Sequence, residues 1–117
     1  MKTRSFTSHS GQKLSFTSMG FGTAPLGNLY APISDETARA TLDAAWAEGC
    51  RYFDTAPFYG LGLSETRLNP FLRSHRGEPL LLSSKIGRLL KPCAPAERSA
   101  QDHYIDTPAR LVVFDYS

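Results

Sequence analysis

The sequence predicts an α/β fold built on a parallel sheet, and three observations carry that expectation. Strand-like and helix-like segments alternate along the first three quarters of the chain, which is the signature of a parallel sheet with helices laid against it. A helix with one apolar stripe leads directly into a strand at Cys50. The run Pro79-Leu-Leu-Leu-Ser-Ser-Lys-Ile86 is nearly continuous in apolar residues, as expected of a strand buried on both faces. At 117 residues the chain is read as one unit, residues 1–117.

Each element has its own reason. Arg4-Ser-Phe-Thr and Lys13-Leu-Ser-Phe-Thr flank the turn residues Ser8-His-Ser-Gly11, so residues 3–16 read as a hairpin. Ser18 to Thr23 reads as a short strand ending in a glycine-rich loop, which Pro25, Gly27 and Pro32 keep irregular. The helix runs from about Asp35 to Glu48, with Ser34 or Asp35 as its cap. Ala38, Leu42, Ala45 and Trp46 form its stripe, and Gly49 ends it in a left-handed conformation. The strand Cys50 to Thr55 follows. A shorter helix spans Ser64 to about Arg73 and is interrupted at Asn69-Pro70, because the residue before proline is pushed out of the helical region; either the helix kinks there or Asn69 caps a new turn with Pro70 at its first position. Residues 88–109 read as a long polar loop, and Arg110 to Tyr116 is strand-like at its start.

Composition excludes several functions. The content, 41% hydrophobic and 21% charged, is that of an ordinary globular chain. Thirteen Lys and Arg residues are dispersed and the net charge is +2, which gives no footprint for nucleic acid. Two cysteines, Cys50 and Cys93, have neither metal nor disulfide spacing, and Cys50 reads as a small buried hydrophobe. His9, His75 and His103 are isolated in expected loops and read as surface residues, so no metal site is expected. The N-terminus has no apolar core for a secretory signal, and no run approaches the ~20 residues that cross a membrane; a cytoplasmic setting is expected.

The chemistry lies at strand ends. Asp54 ends one strand, Tyr59 sits in the loop beyond it, and Lys85 ends the next strand. Singly, each has an ordinary reading: a carboxylate capping the Thr55-Ala-Pro turn, a ring packed beside Phe58, a lysine reaching solvent. Together they place an acid, a phenol and an amine at the carboxyl ends of adjacent parallel strands, where sites of α/β proteins lie. A lysine beside so apolar a strand needs a partner, which Asp54 can supply. A tyrosine works as a general acid when a neighbouring ammonium favours its phenolate. The stretches Gly20-Phe-Gly-Thr-Ala-Pro and Gly60-Leu-Gly-Leu-Ser-Glu both fail as dinucleotide fingerprints; Pro25 holds the third glycine position of the first.

These residues also carry a resemblance. Gly22-Thr23, Phe53-Asp-Thr-Ala56, Tyr59-Gly, Gly62-Leu-Ser-Glu65 and Ser84-Lys85 resemble the N-terminal part of aldo-keto reductases. Phe58-Tyr-Gly-Leu-Gly-Leu-Ser-Glu, Gly87-Arg-Leu-Leu-Lys-Pro92 and Val112-Val-Phe-Asp-Tyr-Ser look most like the branch of sugar and pyridoxal dehydrogenases. The resemblance implies a TIM (β/α)8 barrel whose bottom is capped by the hairpin, of which this chain holds about three of eight strand–helix units. It implies hydride transfer between NADP or NAD and a small-molecule carbonyl, a sugar or a pyridoxal-type alcohol. Asp54, Tyr59 and Lys85 take catalytic roles: Tyr59 exchanges a proton with the carbonyl oxygen, Lys85 tunes Tyr59, and Asp54 holds Lys85. Gly22, Thr23 and Asp54 take cofactor-binding roles. The family's histidine has no counterpart among His9, His75 and His103. Three parallel strands do not close a barrel of about 250 residues. The isolated chain is therefore expected to fold poorly or self-associate through its open edge, and to lack useful cofactor affinity. The rival reading is a truncated, non-catalytic interaction module or a decayed gene product with the same partial fold.

Overall fold

The computed structural model describes all of residues 1–117. A three-stranded parallel sheet forms its centre, in the order β3 (Phe21–Gly22), β4 (Tyr52–Asp54), β5 (Leu81–Ser83). Helix α1 (Asp35–Ala47) connects β3 to β4, and α2 (Leu63–Ser74) connects β4 to β5. The hairpin of β1 (Thr3–Thr7) and β2 (Lys13–Thr17) pairs Thr3 with Thr17 and lies under the sheet. Phe16 meets the ring of Tyr52 edge-on at 5.1 Å, and the amide of Arg51 donates to Thr17 Oγ1 at 3.2 Å. The hairpin thus caps the amino-terminal ends of the strands and leaves the carboxyl ends free.

Helix α1 begins and ends as its sequence dictates. Ser34 Oγ accepts from the amide of Thr37 at 3.0 Å. At the other end Gly49 has φ +86°, its amide bonds the carbonyl of Trp46, and that of Cys50 bonds the carbonyl of Ala45. This pair of bonds is the Schellman arrangement, which a left-handed glycine makes possible. Ala38 and Leu42 are fully buried, with Ala45 and Trp46 packed at the margin. The core lies between the helices and one face of the sheet. Phe53 is its centre, 5.1 Å from Phe71 of α2 and 5.8 Å from Phe21 of β3 by ring centroids. Cys50 is buried there as well.

Four expectations need correction. Residues 88–109 are not one long loop: Arg88–Pro92 forms a strand, β6, which pairs antiparallel with β7 (Arg110–Phe114) in a separate two-stranded ribbon. Pro70 does not interrupt the second helix, which continues through it to Ser74. Burial of Leu68 and Phe71 on either side holds the turn against the bond that proline cannot donate. The apolar run 79–86 contributes only three residues to the sheet and is not covered on both faces, since β5 is an edge: Leu82 is 45% exposed and Ile86 90%. His75 is not a surface residue. Its ring stacks on Trp46 at 4.0 Å and its Nδ1 lies 2.9 Å from Glu78 Oε1.

The uncovered faces leave a measurable excess of surface. The accessible area is 7559 Å², against about 6,300 Å² for a folded monomer of this mass. The radius of gyration is 15.5 Å, where about 13 Å is usual for this length.

Candidate active site

Parallel pairing fixes the site. Tyr52, Phe53 and Asp54 of β4 stand opposite Leu81, Leu82 and Ser83 of β5. Side chains alternate along a strand, so Phe53 enters the core while Tyr52 and Asp54 face the other way, on the same side as Ser83. Lys85 lies two residues further on. Its Nζ is 2.7 Å from each carboxylate oxygen of Asp54 and 2.9 Å from the carbonyl oxygen of Thr55. Ser83 Oγ donates to Asp54 Oδ1 at 2.6 Å, and the Tyr52 hydroxyl, 3.1 Å from Ser83 Oγ, is left to donate to it.

The pair shifts both titrations. The hydrogen bond from Lys85, then that from Ser83, holds the Asp54 carboxyl below its ordinary value, against the opposing effect of burial. The bond to Asp54 chiefly raises the Lys85 ammonium above its own, with smaller contributions from the charges of Tyr59 and Asp54. The contribution of Asp54 to stability is present above the unfolded carboxylate pKa and is lost as pH falls through its lowered folded value. That of Lys85 is present below the unfolded lysine pKa and is lost as pH rises through its raised value. The pair is therefore whole from about pH 4 to about pH 10. Side-chain exposures of 49% for Lys85 and 32% for Asp54 limit its worth to roughly 0–1 kcal/mol. A carbon-13 NMR titration should find Asp54 ionising below the ordinary carboxylate range, and Lys85→Met should move it upward. An Asp54 titration indifferent to that substitution would remove Lys85 as the cause.

Tyr59 is placed by a left-handed loop. Gly60, Leu61 and Gly62 have φ of +64°, +48° and +90°, and the Tyr59 amide bonds the carbonyl of Ala56 at 3.1 Å. The Tyr59 ring centroid is 5.6 Å from Lys85 Nζ. The three protons of the ammonium are taken by Asp54 and Thr55, so Lys85 makes no hydrogen bond to the phenol. The other tyrosines differ. Tyr30 and Tyr116 are exposed, and Tyr52 is engaged with Ser83. Burial, then the neighbouring charges of Tyr59, Asp102 and Tyr30, pushes Tyr104 up to about 12. Tyr104 thus remains a neutral phenol at physiological pH, 6.2 Å from the Tyr59 ring and 6.0 Å from that of Phe58.

Gly22 pairs with Asp54 in the parallel register, and a Cβ built on it would meet nothing within 4 Å. The carboxyl end of β3 is therefore an open surface beside the Asp54 carboxylate. Thr23 follows, fully buried. Its amide donates to the Asp54 carbonyl at 2.9 Å; Ser64 Oγ donates to the Thr23 carbonyl at 2.7 Å and lies 2.9 Å from Thr23 Oγ1.

Sequence reasoning did not single out three residues that shape this site. Ser83 could have been found from its register opposite Asp54. Ser64 stood inside a recognised motif but without a role. Tyr104 gave no signal, because only the folding back of the 93–109 segment brings it to Tyr59. That segment is tied down by Tyr30 N to His103 O at 2.8 Å, Ile105 N to Asn28 O at 3.0 Å and Asn28 Nδ2 to Ile105 O at 3.0 Å. No cluster of His, Cys, Asp and Glu has the makings of a metal centre, and no helix is long and apolar enough to cross a membrane.

The structure defines a parallel α/β chain with an acid–lysine pair and a tyrosine at the carboxyl ends of its strands, and comparison with known proteins narrows the class. The chain belongs to the aldo/keto reductase family, whose sequence profile matches residues 18–110. D-threo-aldose 1-dehydrogenase of a Pseudomonas species is 51% identical over 79 residues, which cover 68% of this chain and 24% of that protein. Pyridoxal 4-dehydrogenase of Microbacterium luteolum is 42% identical over 112 residues, covering 89% of this chain and 32% of that protein. The chain thus spans a quarter to a third of the length of these relatives. Among solved structures, an aldo-keto reductase from Bacillus halodurans in its holo form superposes with a TM-score of 0.61 at 26% identity, over 98% of this chain and 30% of that one. The fold is accordingly an open arc of three parallel strands of the (β/α)8 type, with the barrel not closed.

Proposed function

We propose that this chain carries the proton-transfer end of an NAD(P)-dependent oxidoreductase, which interconverts an aldehyde or ketone, an aldose, or a pyridoxal-type alcohol with its redox partner. The observation that carries the reading is Lys85 Nζ, held 2.7 Å from both oxygens of Asp54 and 5.6 Å from the centre of the Tyr59 ring. Tyr59 is the general acid in reduction and the base in oxidation. Lys85 supplies the positive field beside it, and Asp54, steadied by Ser83, fixes Lys85. The open surface at Gly22, flush with Asp54, fits a planar nicotinamide ring, with Thr23 setting the turn behind it. When bound there, that cofactor supplies or accepts the hydride. The substrate classes come from the names of the relatives, one an aldose dehydrogenase and one a pyridoxal dehydrogenase.

A second reading, an interaction module, draws on the exposed Leu82 and Ile86 at the β5 edge. A strand edge with apolar neighbours is a ready partner for another strand, including that of a second copy. One experiment separates the two. The complete gene product is titrated into NADPH and NADH while nicotinamide fluorescence is followed, and its sedimentation is measured at several concentrations. Saturable enhancement with turnover of an aldose or pyridoxal supports the oxidoreductase. Unchanged fluorescence with concentration-dependent association would favour the module.

A further inference from the structure

A pocket of about 260 Å³ opens beside Lys85 and Tyr59, and its far wall comes from the β6–β7 ribbon and the residues that flank it, including Arg88, Phe114 and Tyr116. The guanidinium of Arg88 lies 4.3 Å from the centre of the Phe58 ring and 5.6 Å from that of Phe114. Phe58 directly precedes Tyr59, so the cation is held at a fixed place relative to the phenol. It is also chemically unspent. Arg39, Arg51, Arg67, Arg73 and Arg98 all donate to oxygens within the chain, whereas the guanidinium of Arg88, like those of Arg4, Arg76 and Arg110, has no such acceptor and, alone of these four, lines the pocket beside Tyr59. Asp54 is engaged with Lys85, Oδ1 of Asp115 accepts from the amide and hydroxyl of Ser117, and no carboxylate forms a salt bridge with Arg88.

The ribbon is shaped to keep this wall. Gly87 has φ +91°, and a Cβ there would collide with the ring of Tyr116. Glycine lets that ring lie across the backbone beside Arg88, and the Asp115 amide closes the contact on the Gly87 carbonyl at 3.0 Å. Lys85 is paired with Asp54, so Arg88 is the unpaired cation of a pocket otherwise walled by aromatic rings and the apolar side chains of Ala56, Pro57 and Ile86. A stacked guanidinium keeps the edge of its planar fork free, and that edge matches a carboxylate in two parallel hydrogen bonds.

We propose that Arg88 recognises the substrate by binding a carboxylate on it, with the apolar body of the substrate against Phe114 and Tyr116 and its carbonyl or alcohol towards Tyr59. This assignment rests on the oxidoreductase reading and narrows its aldehyde, ketone and alcohol substrates to those that carry an anionic group, which sets this chain apart from the aldose and pyridoxal dehydrogenases it resembles.

The test reads binding first, independently of turnover. Benzoate and benzyl alcohol are titrated into the complete gene product and into Arg88→Gln and Arg88→Lys by calorimetry. Benzoate affinity should fall about 10- to 100-fold in Arg88→Gln, by less in Arg88→Lys, which retains charge without the fork, and benzyl alcohol should be unaffected. Benzoate bound equally by all three proteins would overturn the proposal. So would a loss confined to NADP⁺ affinity, which would assign the guanidinium to a cofactor phosphate. Turnover is then compared for 4-carboxybenzaldehyde and 4-methylbenzaldehyde. A KM increase in Arg88→Gln for the first alone, at unchanged kcat, supports the assignment. Arg88-dependent benzoate binding without turnover of either aldehyde supports Arg88 as the carboxylate site and removes the oxidoreductase reading.

Discussion

Tyr59→Phe, made in the complete gene product, should lower turnover by about 10²–10⁴-fold, the usual worth of a positioned general acid, and leave cofactor affinity nearly intact. The substitution removes one hydroxyl and keeps the ring, so packing against Tyr104 and the contact with Lys85 survive. What is lost is the phenol whose ring faces the ammonium at 5.6 Å, while the other phenol near Lys85, that of Tyr52, is engaged with Ser83. Tyr104 cannot replace it, because burial keeps its proton on until about pH 12. Lys85→Met should also cost turnover, and it should change the pH profile, since it removes the charge beside the phenol and frees Asp54. Steady-state kinetics with fluorescence titration of the cofactor separates these effects. Equal loss of turnover and cofactor affinity in Tyr59→Phe would remove Tyr59 as the proton donor and make it a binding residue.

How much of this was legible in the sequence follows from what each feature depends on. Asp54 and Lys85 could be placed together because parallel strands alternating with helices carry their ends to one side, and a lysine after three leucines needs a counter-charge. Helix α1 could be drawn almost to the residue, because Ser34 and Gly49 are local signals read by the backbone within a few positions. The ribbon could not. Arg88–Pro92 ends in proline and lacks strand alternation, and its partner β7 begins only at Arg110; strand propensity reports a pleated surface that must be supplied from elsewhere. Pro70 misled for the opposite reason. Its local cost was read correctly, but the burial of Leu68 and Phe71 outweighs it, and that burial depends on the sheet beneath. The hydroxyls of Ser64 and Ser83 are silent in sequence, since serine has no periodic pattern; only their hydrogen bonds reveal a role.

Gly60→Ala should be among the most destabilising single-methyl changes in the chain, and it should act on Tyr59 as well as on the fold. Gly60 sits at φ +64°, where alanine costs about 1–2 kcal/mol. Its Cβ would also press on the backbone of Gly27, against the carbonyl oxygen and 2.7 Å from Cα. Neither side of that contact has a side chain that can swing aside, so overpacking adds about 1–3 kcal/mol. The reverse change, Gly27→Ala, drives its Cβ to 2.7 Å from the Tyr59 carbonyl carbon and from Gly60 N. Both substitutions thus push on the peptide that carries the phenol. Gly49→Ala provides the internal comparison: it has φ +86°, but its Cβ would meet only Met1 at the ordinary distance of 3.5 Å. That variant should show the backbone cost alone. Denaturant titration of the three variants, with turnover measured on the same samples, reads both consequences. Gly60→Ala and Gly27→Ala should lose clearly more stability than Gly49→Ala, and they alone should lose activity at temperatures where all three remain folded. A Gly60→Ala protein no less stable than Gly49→Ala, with full turnover, would mean that the Gly27–Gly60 contact neither sustains the fold nor positions Tyr59.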